Sequence, residues 1–219
     1  MFRIKICGVT TVADARVAVD AGADAIGLNF YPRSSRCVSL EQAREIAVAV
    51  GADALVVGVF VNESPQAIAN VAAEVRLHAL QLHGDEPAPS LAALPSLPLV
   101  RARRMGDGGL AELAADLAAC RAAGRVPAAL LVDAPAVAGQ YGGGGEPFAW
   151  ERLADRGEEF AGVPVILAGG LRPENVAQAV AAARPDGVDV ASGVESSPGR
   201  KDADLVRRFI ETARQALSS

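Results

Sequence analysis

The chain has 219 residues, a formal net charge of -5, and a hydrophobic fraction of 51% with only 4% aromatic residues. This length supports one substantial core and is short for two ordinary domains, so we expect a single domain over residues 1–219. The negative charge argues against nucleic acid or an anionic membrane as partner, and an anionic substrate would have to be held by local groups.

Short apolar runs rich in β-branched residues alternate with alanine-rich helical stretches along the chain. This alternation is typical of βα units around a parallel sheet. The predicted strands are, in order, Arg3–Cys7, Ala25–Phe30, Leu55–Val61, Ala79–Leu82, Leu97–Arg101, Ala129–Asp133, Val163–Ala168 and Gly187–Ala191. Eight units of about 25 residues predict the α/β class and a single (βα)8 TIM barrel, with an open doubly wound sheet as the alternative.

Helix signals agree with this pattern. Ser64–Pro65 predicts a capped helix start, and Pro173–Glu174 predicts the opening of the seventh helix. The last helix is predicted to bury one stripe that includes Val206, Phe209 and Ile210. The glycine cluster Gly142–Gly145 follows the sixth strand, where we expect a mobile loop over the barrel mouth.

The three cysteines, Cys7, Cys37 and Cys120, are an odd number at irregular spacing. Such a set favours free thiols over a disulfide framework. No apolar run reaches the 18 or more residues of a membrane span, and the first strand begins at once, so we expect a cytoplasmic protein that does not enter a membrane. The cysteines and the two histidines show no paired zinc-site spacing, and we expect no metal.

The active site of such a barrel lies at the carboxyl ends of its strands. Cys7 ends the first predicted strand and is followed by Gly8, which leaves catalysis and simple packing equally open. Asp133 ends the apolar sixth strand, where partial shielding from water should raise the pKa of its carboxyl. A helix cap or a surface ion pair is the alternative for Asp133.

Glycine-bearing turns follow the last two strands, at Gly169–Gly170 and Ser192–Gly193. Such turns let backbone N–H groups approach a ligand and commonly bind phosphate in these barrels, although they also serve simply as tight turns. Arg36, on the loop after the second strand, offers a planar fork for a carboxylate, but a solvated arginine is as common there. His83, just after the fourth strand, is a positioning candidate.

Seven segments, in order, closely resemble the phosphoribosylanthranilate isomerase family and extend over nearly the whole chain. They are Lys5-Ile6-Cys7-Gly8-Val9-Thr10, Gly22–Gly27 with Phe30-Tyr31-Pro32 and Ser35-Arg36, Val57–Asn62, Gln81-Leu82-His83-Gly84-Asp85-Glu86, Leu167–Leu171, Pro173-Glu174-Asn175, and Val188-Asp189-Val190 with Ser192–Glu195 and Pro198-Gly199. Departures from the family pattern include Arg101, where lysine is frequent, and Gly144, where a hydroxyl residue is common.

The resemblance implies general acid-base catalysis of an Amadori rearrangement, the third step of tryptophan synthesis from chorismate. N-(5-phosphoribosyl)anthranilate would become 1-(2-carboxyphenylamino)-1-deoxyribulose 5-phosphate, with Cys7 as base, Asp133 as acid and no cofactor. Arg36 would bind the anthranilate carboxylate, and Gln81 and His83 would also contact substrate. Phosphate would lie on Gly169, Gly170, Ser192 and Gly193, and the protein would be a monomer or homodimer with a phosphorylated small molecule as its partner.

The protonation states pose a difficulty for this assignment. Reference pKa values favour a thiol and a carboxylate, the reverse of what the reaction needs, by about 6 kcal/mol. We expect burial of Asp133 and positive groups near Cys7 to close that gap. The alternatives are another phosphosugar barrel, such as the histidine-pathway isomerase or indole-glycerol-phosphate synthase, and a catalytically silent barrel that only binds a phosphorylated ligand.

Overall fold

The computed structural model describes residues 1–106, 108–133 and 150–218. Eight parallel strands form a closed barrel in the order in which they occur along the chain, which confirms the predicted (βα)8 fold. The strands are β1 Ile4–Cys7, β2 Ala25–Asn29, β3 Leu55–Phe60, β4 Ala79–Leu82, β5 Leu99–Arg104, β6 Ala129–Asp133, β7 Val165–Ala168 and β8 Gly187–Val190. The barrel closes between β1 and β8, where Lys5 pairs in register with Asp189.

Helices and short 3-10 turns connect the strands on the outside. The helices are α1 Val12–Asp20, α2 Leu40–Val50, α3 Pro65–Val75, α4 Gly109–Ala122, α5 Trp150–Ala154, α6 Val176–Ala183 and α7 Ala203–Leu217. A 3-10 helix, Ala88–Ala93, stands where the fourth α-helix was expected, and another 3-10 turn, Ser192–Val194, follows β8. A small antiparallel hairpin, β9 Glu195–Ser197 and β10 Arg200–Lys201, precedes α7.

Side chains alternate between the two faces of each strand, as the pleat requires. The outward set packs against the helices and includes Ile4, Ile6 and Leu80. The inward apolar set is small and separate, and fills the barrel interior. Its members are Phe2, Ala25, Val57, Ala79, Val100, Ala102, Ala129, Leu131, Ile166 and Ala168.

Several local predictions are confirmed. Ser64 accepts a hydrogen bond from the N–H of Ala67 at 3.2 Å and caps α3. The stripe on α7 is buried at Val206, Phe209 and Ile210. Within the parts of the chain that the structure describes, no helix is both long and apolar enough to span a bilayer. The predicted loop at Gly142–Gly145, with Gly144, lies outside the described residues.

Most predicted strand ends lie within two residues of the observed ones, and two boundaries differ by three residues. Strand β5 runs to Arg104 and not to Arg101, because the Arg101 side chain turns outward and pairs with Asp116 of α4 at 2.6 and 2.7 Å. A buried ion pair of this kind is invisible to a hydrophobic pattern. Helix α6 begins at Val176 and not at Pro173, because Asn175 first closes a turn by accepting the N–H of Arg172 at 2.9 Å.

Candidate active site

A cavity of about 260 Å³ opens at the carboxyl ends of the strands. Its lining combines a thiol, a carboxylate, a histidine, an arginine and glycine-rich backbone. The lining residues are Cys7, Gly8, Asn29, Arg36, Val59, His83, Asp133, Ala168, Gly169, Gly170, Leu171, Asp189, Val190, Ala191, Ser192 and Gly193. The structure therefore brings together every predicted site residue except Gln81.

Cys7 ends β1 with its thiol directed into the barrel mouth. A Cβ placed on Gly27 of the neighbouring strand β2 would lie 2.7 Å from Cys7 Sγ, so the glycine leaves the space that the thiol occupies. Burial raises the pKa of Cys7, and the opposing attraction of Lys5 and Lys201 only partly offsets it. The expectation that positive groups would favour the thiolate on balance is therefore wrong.

Asp133 ends β6, and its Oδ2 lies 3.8 Å from Nε2 of His83. This distance exceeds a direct hydrogen bond but allows ion-pair attraction when the imidazole is protonated. His83 is the main cause that lowers the pKa of Asp133, outweighing the opposite effect of burial, and Arg104 adds to it. The expected rise in this pKa is wrong, because His83 and Arg104 stabilise the carboxylate, and the apolar strand sequence does not reveal either contact.

Gln81 lies on β4 beneath His83 and is fully buried. Its Nε2 is 3.1 Å from Nδ1 of His83. If the amide donates this hydrogen bond, the neutral imidazole carries its proton on Nε2, the nitrogen nearer Asp133. Oε1 of Gln81 has no hydrogen-bond partner among the residues that the structure describes.

Arg36 crosses the mouth above Gly8 and is bound by Glu195 of the β9–β10 hairpin. Its Nε and Nη2 donate to the two carboxylate oxygens at 2.8 and 2.6 Å. Lys201 supports the same carboxylate at 2.9 Å and donates to the carbonyl of Ala191 at 3.0 Å. A Cβ on Gly8 would overlap the Arg36 side chain, so the Gly8 position allows the arginine to lie across the mouth.

The turns after β7 and β8 approach each other closely. Gly169 and Gly170 have φ angles of 90° and 61°, values that favour glycine. A Cβ on Gly193 would overlap the backbone carbonyl of Leu171. Both turns therefore depend on glycine, and both line the cavity.

Sequence reasoning missed the charged residues that surround the candidates: Lys5, Arg104, Asp189, Glu195 and Lys201. Lys5 and Asp189 had a usable signal, because each is a charged residue between two apolar residues of a predicted strand. In an alternating strand, such a residue faces the side opposite its neighbours, here the barrel interior. Arg104 was missed because β5 was ended too early.

The fold and this cavity define a (βα)8-barrel enzyme with an acid-base site at its mouth, since an ionisable thiol and carboxylate line the same recess. A family model described as N-(5'phosphoribosyl)anthranilate (PRA) isomerase matches residues 4–212. The N-(5'-phosphoribosyl)anthranilate isomerase of Myxococcus xanthus (strain DK1622) is 46% identical over 213 residues, which cover 97% of this chain and 96% of that protein.

Solved structures agree with this match. Phosphoribosyl anthranilate isomerase from Thermotoga maritima is similar with a TM-score of 0.83 and 38% identity, over 98% of this chain and 100% of that one. A phosphoribosyl anthranilate isomerase in complex with reduced 1-(o-carboxyphenylamino)-1-deoxyribulose 5-phosphate is similar with a TM-score of 0.82 and 36% identity. This match also covers 98% of this chain and 100% of that one. This chain belongs to the N-(5'-phosphoribosyl)anthranilate isomerase family.

Proposed function

We propose that this protein converts N-(5-phosphoribosyl)anthranilate to 1-(2-carboxyphenylamino)-1-deoxyribulose 5-phosphate, with Cys7 as general base and Asp133 as general acid. The observation that carries the proposal is the shared cavity, which a thiol from β1 and a carboxylate from β6 line in a chain of this family. A reduced form of the proposed product is the compound that the solved relative binds.

The proposed reaction begins when Asp133 protonates the ribose ring oxygen and the ring opens to an iminium. The thiolate of Cys7 then takes the proton from C2, which gives an enolamine that tautomerises to the ketone. The substrate nitrogen donates its lone pair when the ring opens and accepts an electron pair when C2 loses its proton, so the reaction as written uses no cofactor. Each positioned acid or base typically contributes a factor of about 10² to 10⁴.

The surroundings of the two groups favour the opposite protonation state, because the pKa of Cys7 is raised and that of Asp133 is lowered. The reactive form, thiolate with carboxylic acid, is therefore a minor species. Bound substrate anions near Asp133 would favour its protonation by like-charge repulsion. Catalysis by a minor protonation state is a specific feature of this proposal.

Arg36 is proposed to bind the anthranilate carboxylate. Glu195 occupies the side formed by Nε and Nη2, which leaves the end formed by Nη1 and Nη2 for a second carboxylate. Glu195 and Lys201 would thus fix the direction in which the guanidinium presents its free end. This arrangement refines the simple fork that the sequence suggested.

The phosphate is proposed to bind the turns at Gly169–Gly170 and Ser192–Gly193. Both turns line the cavity, and glycine-bearing turns let backbone N–H groups approach a phosphate closely. His83 is proposed to contact the substrate directly, whereas Gln81 would act through His83, because it is buried beneath that ring. We further propose a cytoplasmic protein, since its three cysteines are free thiols. We also propose a monomer or a homodimer, since a solved relative is described as a dimeric enzyme from which monomers were generated.

The direct test is the loss of phosphoribosylanthranilate fluorescence when the purified protein is added. We expect turnover by the wild-type chain and by Cys37→Ser, a matched control whose cysteine does not line the cavity. The preparation must come from a host that lacks its own isomerase. Absence of turnover in a folded sample would contradict the proposed activity.

A further inference from the structure

A buried ion pair lies inside the barrel directly below the proposed base. Lys5 and Asp189 are register partners on β1 and β8, and Nζ lies 2.7 Å from Oδ1. The side chains are 0% and 7% exposed. The proposed acid-base steps use neither residue.

Such a pair is weak evidence for stability by itself. Removing two charges from water costs several kcal/mol per ion, and apolar replacement of a buried pair is often neutral or stabilising. Much of the barrel interior is filled by apolar residues, which shows that this space can be packed largely without charge. Stability alone therefore does not explain why this ion pair is buried here, and we consider its effect on the neighbouring side chain.

Cys7 is that side chain. It lies two residues after Lys5 on the same face of β1, so both side chains point into the barrel. A Cβ on Gly27 would lie 2.7 Å from Cys7 Sγ and 3.3 Å from Cε of Lys5, so both side chains border the same small space. The absence of a side chain at Gly27 leaves the lysine and the thiol adjacent.

We propose that Lys5 is a positioning residue for Cys7: its ammonium group, anchored by Asp189, stabilises the thiolate that removes the substrate proton. This inference rests on the proposed function for the role of Cys7 in turnover. Lys5 stays protonated throughout, and the substrate proton goes to Sγ.

The other charges near Cys7 are arranged differently. Lys201 from β10 and Arg36 from the loop after β2 share the carboxylate of Glu195. Across the cavity stand Asp133 and His83. Among these charged groups, Lys5 opposes the burial-driven rise in the pKa of Cys7 most strongly, while Asp189 acts in the other direction. The two members of the pair therefore have opposite effects on one thiol.

The test measures the alkylation rate of Cys7 by iodoacetamide as a function of pH, because only the thiolate reacts. Mass spectrometry of the Cys7 peptide separates it from Cys37 and Cys120. In Lys5→Met, alkylation below the titration midpoint should be about tenfold slower or more, which corresponds to a midpoint at least about one pH unit higher. In Asp189→Asn, the midpoint should move to lower pH.

A matched control is the ion pair of Arg101 with Asp116, which lies outside the barrel. The double variant Arg101→Met/Asp116→Leu should leave the Cys7 alkylation profile unchanged. A purely structural role for Lys5 would likewise leave the profile unchanged in Lys5→Met, and that result in a folded variant overturns the inference.

If circular dichroism shows that Lys5→Met does not fold, the neutral double variant Lys5→Met/Asp189→Leu replaces it. Its midpoint should still rise, and an unchanged midpoint again overturns the inference. Alkylation does not depend on isomerase turnover. A wild-type protein that shows the predicted shifts but no turnover would therefore contradict the proposed function while the role of Lys5 stands.

Discussion

The two faces of the barrel strands follow different rules. On the outer face, Ile4 and Ile6 of β1 pack against the helices in one continuous apolar core. On the inner face of the same strand, Lys5 and Cys7 point toward the mouth, where charged and polar groups replace the apolar filling. The outer face of the strands thus contributes most to stability, and the inner face at the barrel mouth carries the chemistry. Residues of the two faces nevertheless alternate one by one along each strand.

Two of the ion pairs show the same division. Arg101 and Asp116 join β5 to α4 on the outer face, where Arg101 also donates to the carbonyl of Glu86 at 2.9 Å. Lys5 and Asp189 lie inside, beside a thiol. The same interaction thus fastens a helix in one place and borders a reactive group in the other.

The largest expected effect is on the outer face. Phe209 of α7 is fully buried, and Phe209→Ala should lower the free energy of unfolding by about 3–5 kcal/mol through lost packing and a new cavity. Urea denaturation measures this change. At a temperature where the variant remains folded, its kcat should stay within a few-fold of wild type, and a hundredfold lower kcat would break the division between the faces.

Gly193→Val should have the next largest effect, and on the inner face. Its Cβ would overlap the carbonyl of Leu171, so the turn after β8 must move away from the phosphate position. A displacement of about 1 Å can lower catalytic efficiency about 10²-fold, and we expect this loss to appear mainly as a higher KM. Gly162→Val is the control, because its Cβ would have open space, although its φ of 77° adds strain. An unchanged KM in Gly193→Val would place the phosphate elsewhere.

The smallest expected effect is a shift in pH dependence. Because the pKa of Asp133 lies below that of Cys7, the acid limb of the kcat/KM profile reports the pKa of Asp133. Between the two pKa values, a lower pH protonates more Asp133 but leaves less thiolate on Cys7, and the two effects cancel. Below the pKa of Asp133 only the loss of thiolate remains, so kcat/KM falls. His83→Asn removes the main cause of the lowered pKa, so the limb should move to higher pH.

The matched control for this shift is His78→Asn. His78 accepts the N–H of Val56 at 2.9 Å, just before β4 and therefore at the end of the barrel away from the mouth. Its substitution should leave the acid limb in place. If the acid limb moved equally in both variants, or in neither, the claim that His83 lowers the pKa of Asp133 would be contradicted.

The sequence predicted the fold well because a barrel depends on repeated local patterns. Strands such as Ala79–Leu82 and Ala129–Asp133 were predicted to the residue, since each is an apolar run with clear boundaries. The candidate residues that line the cavity also follow from the rule that sites lie at strand ends. The predicted end of strand β5 was wrong at Arg101, because this charged residue is buried through its ion pair with Asp116, 15 residues further along the chain.

The electrostatic environment was not predictable in the same way. The pKa of Asp133 depends on His83 and that of Cys7 on Lys5 and Asp189, and these groups meet only when the barrel closes. Asp189 is 182 residues from Cys7 in the chain but on the strand that pairs with β1. Local sequence patterns do not contain the balance between burial and such distant charges.

The central claim is that Cys7 and Asp133 act together as base and acid, and a double-variant cycle of turnover tests it most directly. Cys7→Ser and Asp133→Asn should each lower kcat by at least about 10²-fold, while circular dichroism and binding of a product analogue stay unchanged. Because the two residues act as a unit, the double variant should be little worse than the poorer single variant. Turnover of Cys7→Ser within a few-fold of wild type, in protein from a host without its own isomerase, would contradict the claim.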